Sequence, residues 1–374
     1  MPKIIVNRLI EEFKLNEGSW LLDPYVGSGT TLLSCKEKSI NGIGYDISPF
    51  AVFLTNTKLD NYKKDELIRT LQNILKKTSP GKSNSNYDLP DIPLIQKAYP
   101  KKIWNEILCI RRQILKIKVE KNRNFFLLAL FSILESVSNT TKSGGFLRIT
   151  KRKIRTGTVK KRFKETALSM IGDLDIESFR RNKDNLIARV GDARKLRTKK
   201  MYNAIITSPP YLNRHDYTRI YSLELILNFV KDNEQLKKLR YDTLRSHVEA
   251  KKKYDSNGYM QPTKLTSIIK KIEKNGTNNG QVTAMISGYF EDMYLCLMEM
   301  KKVLKPKGMI AIVVSNVRFS GINIPVDKLL STLGEDVGFK LKEIRVARLR
   351  GNSSQQMRDY KKRVSRESII IWTN

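Results

Sequence analysis

The chain has 374 residues, long enough for one large catalytic domain with insertions or for a catalytic core with a smaller recognition region. It contains 70 Lys and Arg against 37 Asp and Glu, a formal net charge of +33 that exceeds what solubility requires. An AT-rich genome would raise the lysine count but would not explain the shortage of acids. Because cationic side chains attract polyanions and neutralise phosphates, nucleic acid is the favoured partner class.

Cysteine usage and hydrophobic pattern exclude several other classes of protein. Cys35, Cys109 and Cys296 are far apart and form no CxxC pair, so neither a disulfide framework nor a structural zinc site is expected. No run of about twenty apolar residues occurs, and acids follow directly after the short apolar run near the amino terminus. We therefore expect a soluble, unexported protein of the reducing cytoplasm, with no membrane as a partner.

The first sixty residues predict alternating strands and helices. An apolar run at 19–23 ends in an acid and is followed by a glycine-containing turn and a helical pattern near 29–38. A second apolar run, 42–46, also ends in an acid, and Ser48 and Pro49 then supply an N-cap and a first helical residue. This β-α-β-α beginning implies a parallel sheet, because such crossovers are right-handed and place the strands side by side.

A long segment without strand signals follows, from about 58 to 185. Helical periodicity is found at 64–77, 101–118 and 123–138. The segment then becomes strongly basic, and residues 141–164 contain no acid. We interpret the segment as a helical insertion with a basic tail.

Sheet patterning resumes after the insertion, and a second polar, lysine-rich insertion fills 231–282. The later predicted strands are 186–190, 203–207, 309–315, 339–348 and 368–373.

The turn from Asp23 to Thr31 carries glycines at 27 and 29, which let the backbone approach a ligand without a Cβ clash. It stands at the carboxyl end of a strand, where open α/β sheets bind ligands. The spacing is not the GxGxxG dinucleotide fingerprint, and no GK[ST] phosphate loop follows. A nucleotide-like ligand without a pyrophosphate fits better, and Asp46, at the end of the next strand, suits ribose hydroxyls. The alternative is a merely tight loop.

The segment from Thr207 to Tyr211 reads TSPPY and follows a predicted strand. Two consecutive prolines stiffen the backbone, remove two amide donors and fix the direction of the carbonyls before them. A rigid loop with the Ser208 hydroxyl, a carbonyl acceptor and an aromatic face can hold a planar ring that bears an NH₂ group. The alternative is a strand-end turn with an exposed tyrosine.

At these motifs the chain resembles the amino-group DNA methyltransferases. The turn 23–31 is similar to their cofactor motif, 44–47 (GYDI) to their ribose-binding motif, and 191–194 (GDAR) to the motif whose acid contacts the adenine amine. The tetrapeptide 208–211 matches their catalytic (S/D/N)PP(Y/F) sequence, and the run 212–217 is typical of the SPPY subset. The resemblance extends over roughly 1–60 and 186–374, including VLKPKG at 303–308. The segment from Pro2 to Phe13 is only loosely like the family's methionine-end binding motif.

The resemblance implies an α/β fold: a Rossmann-like class I methyltransferase sheet, mostly parallel with an antiparallel last strand, carrying a helical, basic insertion. Residues 1–60 and 186–374 would form the catalytic core, and 61–185 would form the target-recognition region. The second insertion, 231–282, is the rival for recognition. The implied cofactor is S-adenosyl-L-methionine. The implied cofactor-binding residues are Asp23, Pro24, Tyr25, Gly27, Gly29, Thr30, Thr31, Asp46, Ile47, Asp192, Ala193 and Thr207. The implied catalytic residues are Ser208, Pro209, Pro210 and Tyr211.

The implied reaction is methyl transfer to the exocyclic N4 amine of a flipped cytosine in a specific sequence of double-stranded DNA, within a restriction-modification system. Adenine N6 methylation, RNA methylation and a non-catalytic DNA-binding subunit remain alternatives. A cognate restriction endonuclease is a further expected partner, and the oligomeric state is open. Neither His215 nor His247 is accompanied in the sequence by an acid or cysteine cluster, so no metal site is predicted. The predicted DNA-binding residues are Arg148, Lys151, Arg152, Lys153, Arg155, Arg214, His215 and Arg350.

Overall fold

The computed structural model describes residues 1–78, 90–152, 154–175, 184–276, 280–351 and 364–374, with residue 350 described by its backbone only. The chain divides into two compact units. The sheet unit contains Met1–Val52, Asp184–Asp216 and Leu239–Asn374. The helical unit contains Phe53–Lys183 and Tyr217–Lys238.

Strands and helices alternate along the first part of the chain. The strands are β1 (Trp20–Asp23), β2 (Asn41–Asp46), β3 (Thr140–Ser143), β4 (Phe146–Ile149), β5 (Leu186–Val190), β6 (Tyr202–Thr207), β7 (Leu304–Ser315), β8 (Val317–Phe319), β9 (Ile322–Ile324), β10 (Lys340–Gly351) and β11 (Val364–Thr373). The helices are α1 (Lys3–Glu12), α2 (Thr30–Glu37), α3 (Pro49–Leu59), α4 (Lys64–Lys77), α5 (Pro93–Ala98), α6 (Lys101–Leu115), α7 (Glu120–Ile133), α8 (Thr158–Gly172), α9 (Tyr217–Ile220), α10 (Ser222–Asn228), α11 (Asn233–Asp242), α12 (Thr263–Lys274), α13 (Val282–Val303) and α14 (Val326–Asp336).

Seven strands form the sheet of the sheet unit, in the order β10-β11-β7-β6-β1-β2-β5. The pairs from β7 to β5 are parallel, whereas β11 is antiparallel to both β7 and β10. The predicted fold class is confirmed: a mostly parallel Rossmann-like sheet whose last strand is antiparallel. The central position of β1 explains its apolar sequence, because Leu21 and Leu22 are completely buried. Among the described residues, no helix combines the length and apolar character needed to cross a bilayer.

The strands that carry the candidate site were predicted closely. The runs 19–23, 42–46 and 203–207 correspond to β1, β2 and β6, and Ser48 caps α3 by accepting the amide of Ala51 at 3.4 Å. Strand β7 begins five residues before its predicted start, at Leu304 rather than 309. The short pair β8 and β9 was not predicted.

The expectation of no strand between 58 and 185 is wrong. Strands β3 and β4 form an antiparallel hairpin inside the basic segment. Each strand has only four residues, β3 (TTKS) contains no apolar residue, and the apolar residues of β4 (FLRI) fall on both of its faces, so neither shows the alternation of apolar and polar residues by which a strand is recognised in a sequence.

The helical unit has its own core, built by α4, α6, α7 and α8. Apolar side chains at helical spacing are buried on each of these helices, and the rings of Phe53 and Phe131 make an edge contact with centroids 5.4 Å apart. Phe163, which stands inside the acid-free run 141–164, lies fully buried in this core. The unit begins at Phe53 rather than 61, and it also contains 217–238, which the sequence did not indicate.

Candidate active site

The carboxyl ends of β1, β2 and β6 meet at one edge of the sheet because the three strands are parallel neighbours. The glycine turn follows β1, Asp46 ends β2, and Ser208 follows β6. A hydrogen bond joins two of these ends, since the Thr207 hydroxyl donates to Asp23 Oδ1 at 2.6 Å. The cofactor motif and the proline-containing loop therefore lie side by side.

Asp23 organises the beginning of the turn from a buried position. Its Oδ1 also accepts the amide of Tyr25 at 3.1 Å, and Thr31 donates to the same carboxyl group. Burial raises the pKa of Asp23, and these hydrogen bonds oppose the rise. The buried side chain therefore shapes the turn by holding its backbone. Pro24, the next residue, is also buried.

The turn depends on glycine at two positions. Gly27 has φ +51° and Gly29 has φ +84°, which is the left-handed region that favours glycine. Gly29 is also the N-cap of α2, so Thr30 is the first helical residue. A Cβ placed on Gly27 would meet no atom closer than Tyr25 O at 3.9 Å. This side of the turn is open, and a ligand can approach the backbone there.

Asp46 connects this turn to the end of β2. Its Oδ2 accepts the amide of Gly27 at 3.0 Å, and its Oδ1 accepts the amide of Ser48 at 2.9 Å. Burial raises the pKa of Asp46 to about 6, although these two backbone hydrogen bonds lower it. A carboxylate has about four acceptor sites, so the two oxygens keep capacity for further hydroxyl donors.

The open turn and the remaining acceptor capacity of Asp46 fit the nucleoside part of S-adenosyl-L-methionine. The half-buried Ile47, which follows Asp46, adds an apolar side chain at the same strand end. Tyr25 is half-buried, and its hydroxyl lies 2.9 Å from the sulfur of Cys296 on α13. Burial, and after it this contact, raise the pKa of Tyr25, so the ring is held in place as a neutral group.

The GDAR segment is fixed by a buried ion pair. Arg194 donates from its side chain to both oxygens of Asp192, at 3.0 and 2.8 Å, and Tyr254 donates to Oδ2 at 3.0 Å. Burial alone would raise the pKa of Asp192, but the hydrogen bonds and charge of Arg194 lower it. The carboxylate of Asp192 already has these internal partners. Contact of Asp192 and of the buried Ala193 with the cofactor stays a prediction.

Arg194 also belongs to a larger charged network behind the site. Its NH1 donates to Oδ2 of Asp292 at 2.9 Å, and Arg245 donates to Oδ1 of the same carboxylate at 2.6 Å. Asp292, on α13, is completely buried between the two guanidinium groups. Glu291 also pairs with Arg245, at 2.8 Å. The network holds the end of the GDAR segment against α13.

The proline-containing loop after β6, predicted to be catalytic, presents the oxygen of Ser208 as an acceptor. The Ser208 hydroxyl donates inward, to Val313 O at 3.2 Å or to the Tyr211 hydroxyl at 3.4 Å. A hydroxyl has one hydrogen and two lone pairs, so the part left for a ligand is a hydrogen-bond acceptor. Pro209 is buried and Pro210 half-buried, and neither has an amide hydrogen. An amine with two hydrogens suits such a surface.

Tyr211 is anchored from the antiparallel part of the sheet. Its hydroxyl donates to Oε1 of Glu367 on β11 at 2.7 Å. Glu367 is buried and pairs with Arg348, the residue opposite it on β10. The proline-containing loop after β6 is thus hydrogen-bonded to a strand far away in the sequence.

The predicted DNA-binding residues are found in both units. In the sheet unit, Arg214 is exposed with φ +66°, and His215 is half-buried, which lowers its pKa. In the helical unit, four predicted residues are exposed: Arg148, Lys151, Arg152 and Arg155. Lys153 and the side chain of Arg350 lie outside the described residues. DNA contact by all of these residues stays a prediction.

A cluster that the sequence did not indicate surrounds His247. Potential ligand atoms of Asp216, His247 and Glu249 lie within 4.8 Å of one another. Asp216 pairs with Arg240 at 2.9 Å, and Nε2 of His247 lies 2.9 Å from the Thr243 hydroxyl. The expectation that no acid cluster accompanies His247 is therefore wrong, because the fold brings Asp216 close to it. The groups are held by internal partners.

Sequence reasoning missed several residues that shape the site. Glu367, Arg348, Asp292 and Arg245 stand on distant elements and belong to none of the motifs. A weak signal existed for one of them, because Asp292 is a charged residue inside the otherwise apolar pattern of α13 and has to find a partner.

Comparisons with known proteins agree with this geometry. Residues 1–57 match a family profile described as DNA methylase. Over 98% of this chain and 82% of the relative, the chain is 31% identical to the type II methyltransferase M.BsoBI of Geobacillus stearothermophilus. It is 30% identical to the type II methyltransferase M.AvaI of Nostoc sp., over 98% of this chain and 83% of the relative.

Solved structures give a much weaker likeness. TrmN from Thermus thermophilus aligns with a TM-score of 0.35 and 10% identity, over 100% of this chain and 49% of that protein. A TehB-like SAM-dependent methyltransferase from Corynebacterium glutamicum aligns with a TM-score of 0.34 and 9% identity, over 99% of this chain and 86% of that protein. These values are too low to assign a function.

Proposed function

Because the chain belongs to the amino-group DNA methyltransferases, we propose that it methylates the exocyclic N4 amine of a flipped cytosine in a specific duplex sequence. As a member of this family it is a type II DNA methyltransferase of the restriction-modification kind and uses S-adenosyl-L-methionine. The choice of cytosine, the residues assigned to the site and the recognition region are proposals.

One observation carries the reaction that we propose. The Ser208 hydroxyl has two acceptors on its inner side, Val313 O and the Tyr211 hydroxyl, and the two residues after it lack amide hydrogens. The rim of the loop therefore accepts hydrogen bonds. Acceptors beside an aromatic amine hold its two hydrogens out of the ring plane and return the lone pair to nitrogen, which makes the nitrogen a better nucleophile.

Methyl transfer needs positioning more than acid-base chemistry. S-adenosyl-L-methionine supplies an electrophilic methyl group on sulfur, so a carbon–nitrogen bond forms, a carbon–sulfur bond breaks, and the amine releases one proton to water. Asp46 and the open turn at Gly27 would hold the nucleoside part of the cofactor, while Ser208 and the Pro209 carbonyl would orient the amine. Correct orientation of two reactants is worth up to roughly 7–11 kcal/mol.

The target amine is inaccessible in a base pair, so the base has to leave the duplex at a cost of a few kcal/mol. Stacking of the flipped base on the Tyr211 ring would offset about 1–3 kcal/mol of this cost. The buried partner of its hydroxyl fixes this ring, so little entropy would be lost on stacking.

Serine at position 208 favours cytosine over adenine in the family that the motif resembles, and this supports N4 as the acceptor. The test is mass spectrometry of nucleosides from plasmid DNA methylated by the purified protein. N4-methylcytosine is expected. Recovery of N6-methyladenine alone would replace the proposed base while leaving the enzyme class intact.

We assign sequence recognition to residues 61–185 within the helical unit, with 231–282 as the alternative. The exposed cations of the basic segment support this assignment, because phosphate contacts set the position of a protein on DNA. Arg214 and His215, which follow the catalytic loop in the chain, and Arg350 would add contacts to DNA. A cognate endonuclease that cleaves the same sequence would be the functional partner. Single-molecule sequencing of the methylated plasmid identifies the recognised site, and digestion of unmethylated plasmid by a host extract tests for the endonuclease.

A further inference from the structure

The hairpin β3–β4 has two different faces. The strands are joined by Gly144 and Gly145, and Ser143 pairs with Phe146 across the turn. Directly opposed residues of an antiparallel pair share a face, and faces alternate along each strand. One face therefore carries Ser143, Phe146, Thr141 and Arg148, and the other carries Thr140, Lys142, Leu147 and Ile149.

The face with Lys142 packs on the helical unit itself. Lys142 Nζ donates to Glu224 at 2.8 Å and lies 4.6 Å from the centroid of the Tyr221 ring. The amide of Lys142 donates to Glu135 at 2.8 Å, and Thr140, on the same face, is fully buried. These contacts fix the hairpin on its own unit.

The opposite face is exposed and combines one aromatic ring with cations. Phe146 has 50% of its surface exposed at the tip, and Arg148 is exposed two residues further along the same face. Arg152 is attached to this face by a hydrogen bond to the Thr141 hydroxyl at 2.5 Å. No acid occurs between 141 and 164, so nothing on this segment opposes an approaching polyanion.

We propose that this face of the hairpin enters the major groove of duplex DNA, with Arg148 and Arg152 on phosphates and Phe146 against the bases. The groove is wide enough for a two-stranded ribbon, and an aromatic side chain discriminates there by apolar contact with a thymine methyl group. Because the packed face holds the ribbon rigid, Phe146 reads bases while the arginines set position and affinity. This inference rests on the proposed DNA methyltransferase function.

The test uses two duplexes: one with the site identified by sequencing of the methylated plasmid, and one with that site scrambled. Phe146→Ala should weaken binding to the site duplex about 10-fold and leave the scrambled duplex unaffected. Arg148→Gln should weaken both and make the salt dependence of binding shallower by about one counterion. Leu168→Ala, an exposed apolar residue on α8, is the matched control and should bind like the wild type.

If Phe146→Ala bound the site duplex as tightly as the wild type does, the base-reading role would be overturned. If the salt dependence of binding were unchanged in Arg148→Gln, the phosphate role would be overturned. Wild-type methylation of the plasmid is measured in parallel. If the wild type methylates the plasmid but the Phe146→Ala and Arg148→Gln variants bind DNA as the wild type does, only this inference is refuted. If the wild type does not methylate the plasmid, the proposed function is refuted.

A separate observation supports a second assignment, for Glu367. Its carboxylate is buried and takes donors from two directions, Tyr211 of the catalytic loop and Arg348 of the neighbouring strand. The side chain of Arg348 is 48% exposed, so Glu367 has an exposed arginine on one side and the hydroxyl of Tyr211 on the other. A buried charge of this kind is stable only if it remains paired.

We infer that Glu367 is a positioning residue for methyl transfer, which holds the ring of Tyr211 by its hydroxyl while Arg348 compensates the buried charge. The inference rests on the assignment of the SPPY loop as catalytic. Because Glu367 acts through Tyr211, removing the tyrosine hydroxyl should abolish its influence.

A double-mutant cycle on the full chain tests this dependence. Glu367→Gln and Tyr211→Phe should each lower the single-turnover rate several-fold, and the double variant should be no slower than the slower single variant. The cofactor Kd should stay unchanged in all three. Multiplied effects in the double variant would overturn the assignment, as would a weakened cofactor Kd in Glu367→Gln. A Ser208→Ala variant that retains full activity would instead refute the catalytic role assigned to Ser208.

Discussion

The amide of Gly27 donates a 3.0 Å hydrogen bond to Oδ2 of Asp46, which ties the turn after β1 to the end of β2. Burial of this carboxyl group raises its pKa to about 6. The same side chain would accept hydrogen bonds from the ribose hydroxyls of the cofactor. Its protonation state therefore connects pH to cofactor binding.

Cofactor affinity should fall as the pH drops below about 6. The ionised carboxylate is the better acceptor, and each pH unit below the pKa of Asp46 lowers its ionised fraction about tenfold. Isothermal titration with S-adenosyl-L-methionine between about pH 5 and 8 measures the effect. Asp46→Asn should bind weakly at every pH, without this transition. If the affinity of Asp46→Asn for the cofactor fell in the same way at acidic pH, the pH dependence would belong to another group.

Removal of the hydrogen bond between β6 and β1 should destabilise the protein. Thr207→Val keeps the shape of the side chain but deprives the buried carboxylate of Asp23 of its 2.6 Å donor. Loss of a partner at a buried polar group costs about 1–3 kcal/mol in the free energy of unfolding. Urea denaturation measures this cost, and Thr207→Ser, which keeps the hydroxyl, should remain close to the wild type. Equal stability of the valine variant would contradict the role of this bond.

Disruption of the buried network of Arg194, Arg245 and Asp292 should strongly destabilise the sheet unit. Asp292→Asn leaves Arg194 and Arg245 facing each other without their shared buried carboxylate. Removing one partner from a buried ion pair typically costs about 3–5 kcal/mol. The free energy of unfolding should fall by an amount of this order. Glu291→Gln, which removes a more exposed partner of Arg245, should cost much less, and similar losses in both variants would argue against the network.

The sequence predicted the parts of the site that depend on local pattern. Strands β1, β2 and β6 were predictable because each is an apolar run that ends in a motif, and their parallel order brought Asp23, Asp46 and Ser208 to one edge. This placement needed only the rule that parallel strands share their carboxyl ends.

The rest depends on pairings between distant segments. Glu367 reaches Tyr211 only through the antiparallel register of β11 on β7. Asp216 reaches His247 through the path of the chain after the catalytic loop. Hairpin β3–β4 depends on anchors such as Glu224, whereas its own residues give little strand signal. One sequence carries no pattern for such contacts.

Ser208→Ala should separate chemistry from binding. The substitution removes the acceptor that would hold the target amine, and it leaves Asp46 and the glycine turn untouched. A hydrogen bond to a group that gains charge is worth about 1.5–3 kcal/mol, so kcat should fall roughly 10- to 150-fold. The cofactor Kd should not change. Single-turnover methylation of the identified duplex gives the rate, and isothermal titration gives the Kd. Ser208→Thr keeps the hydroxyl and should recover part of the rate. An alanine variant with the wild-type rate would show that the amine is oriented by another group.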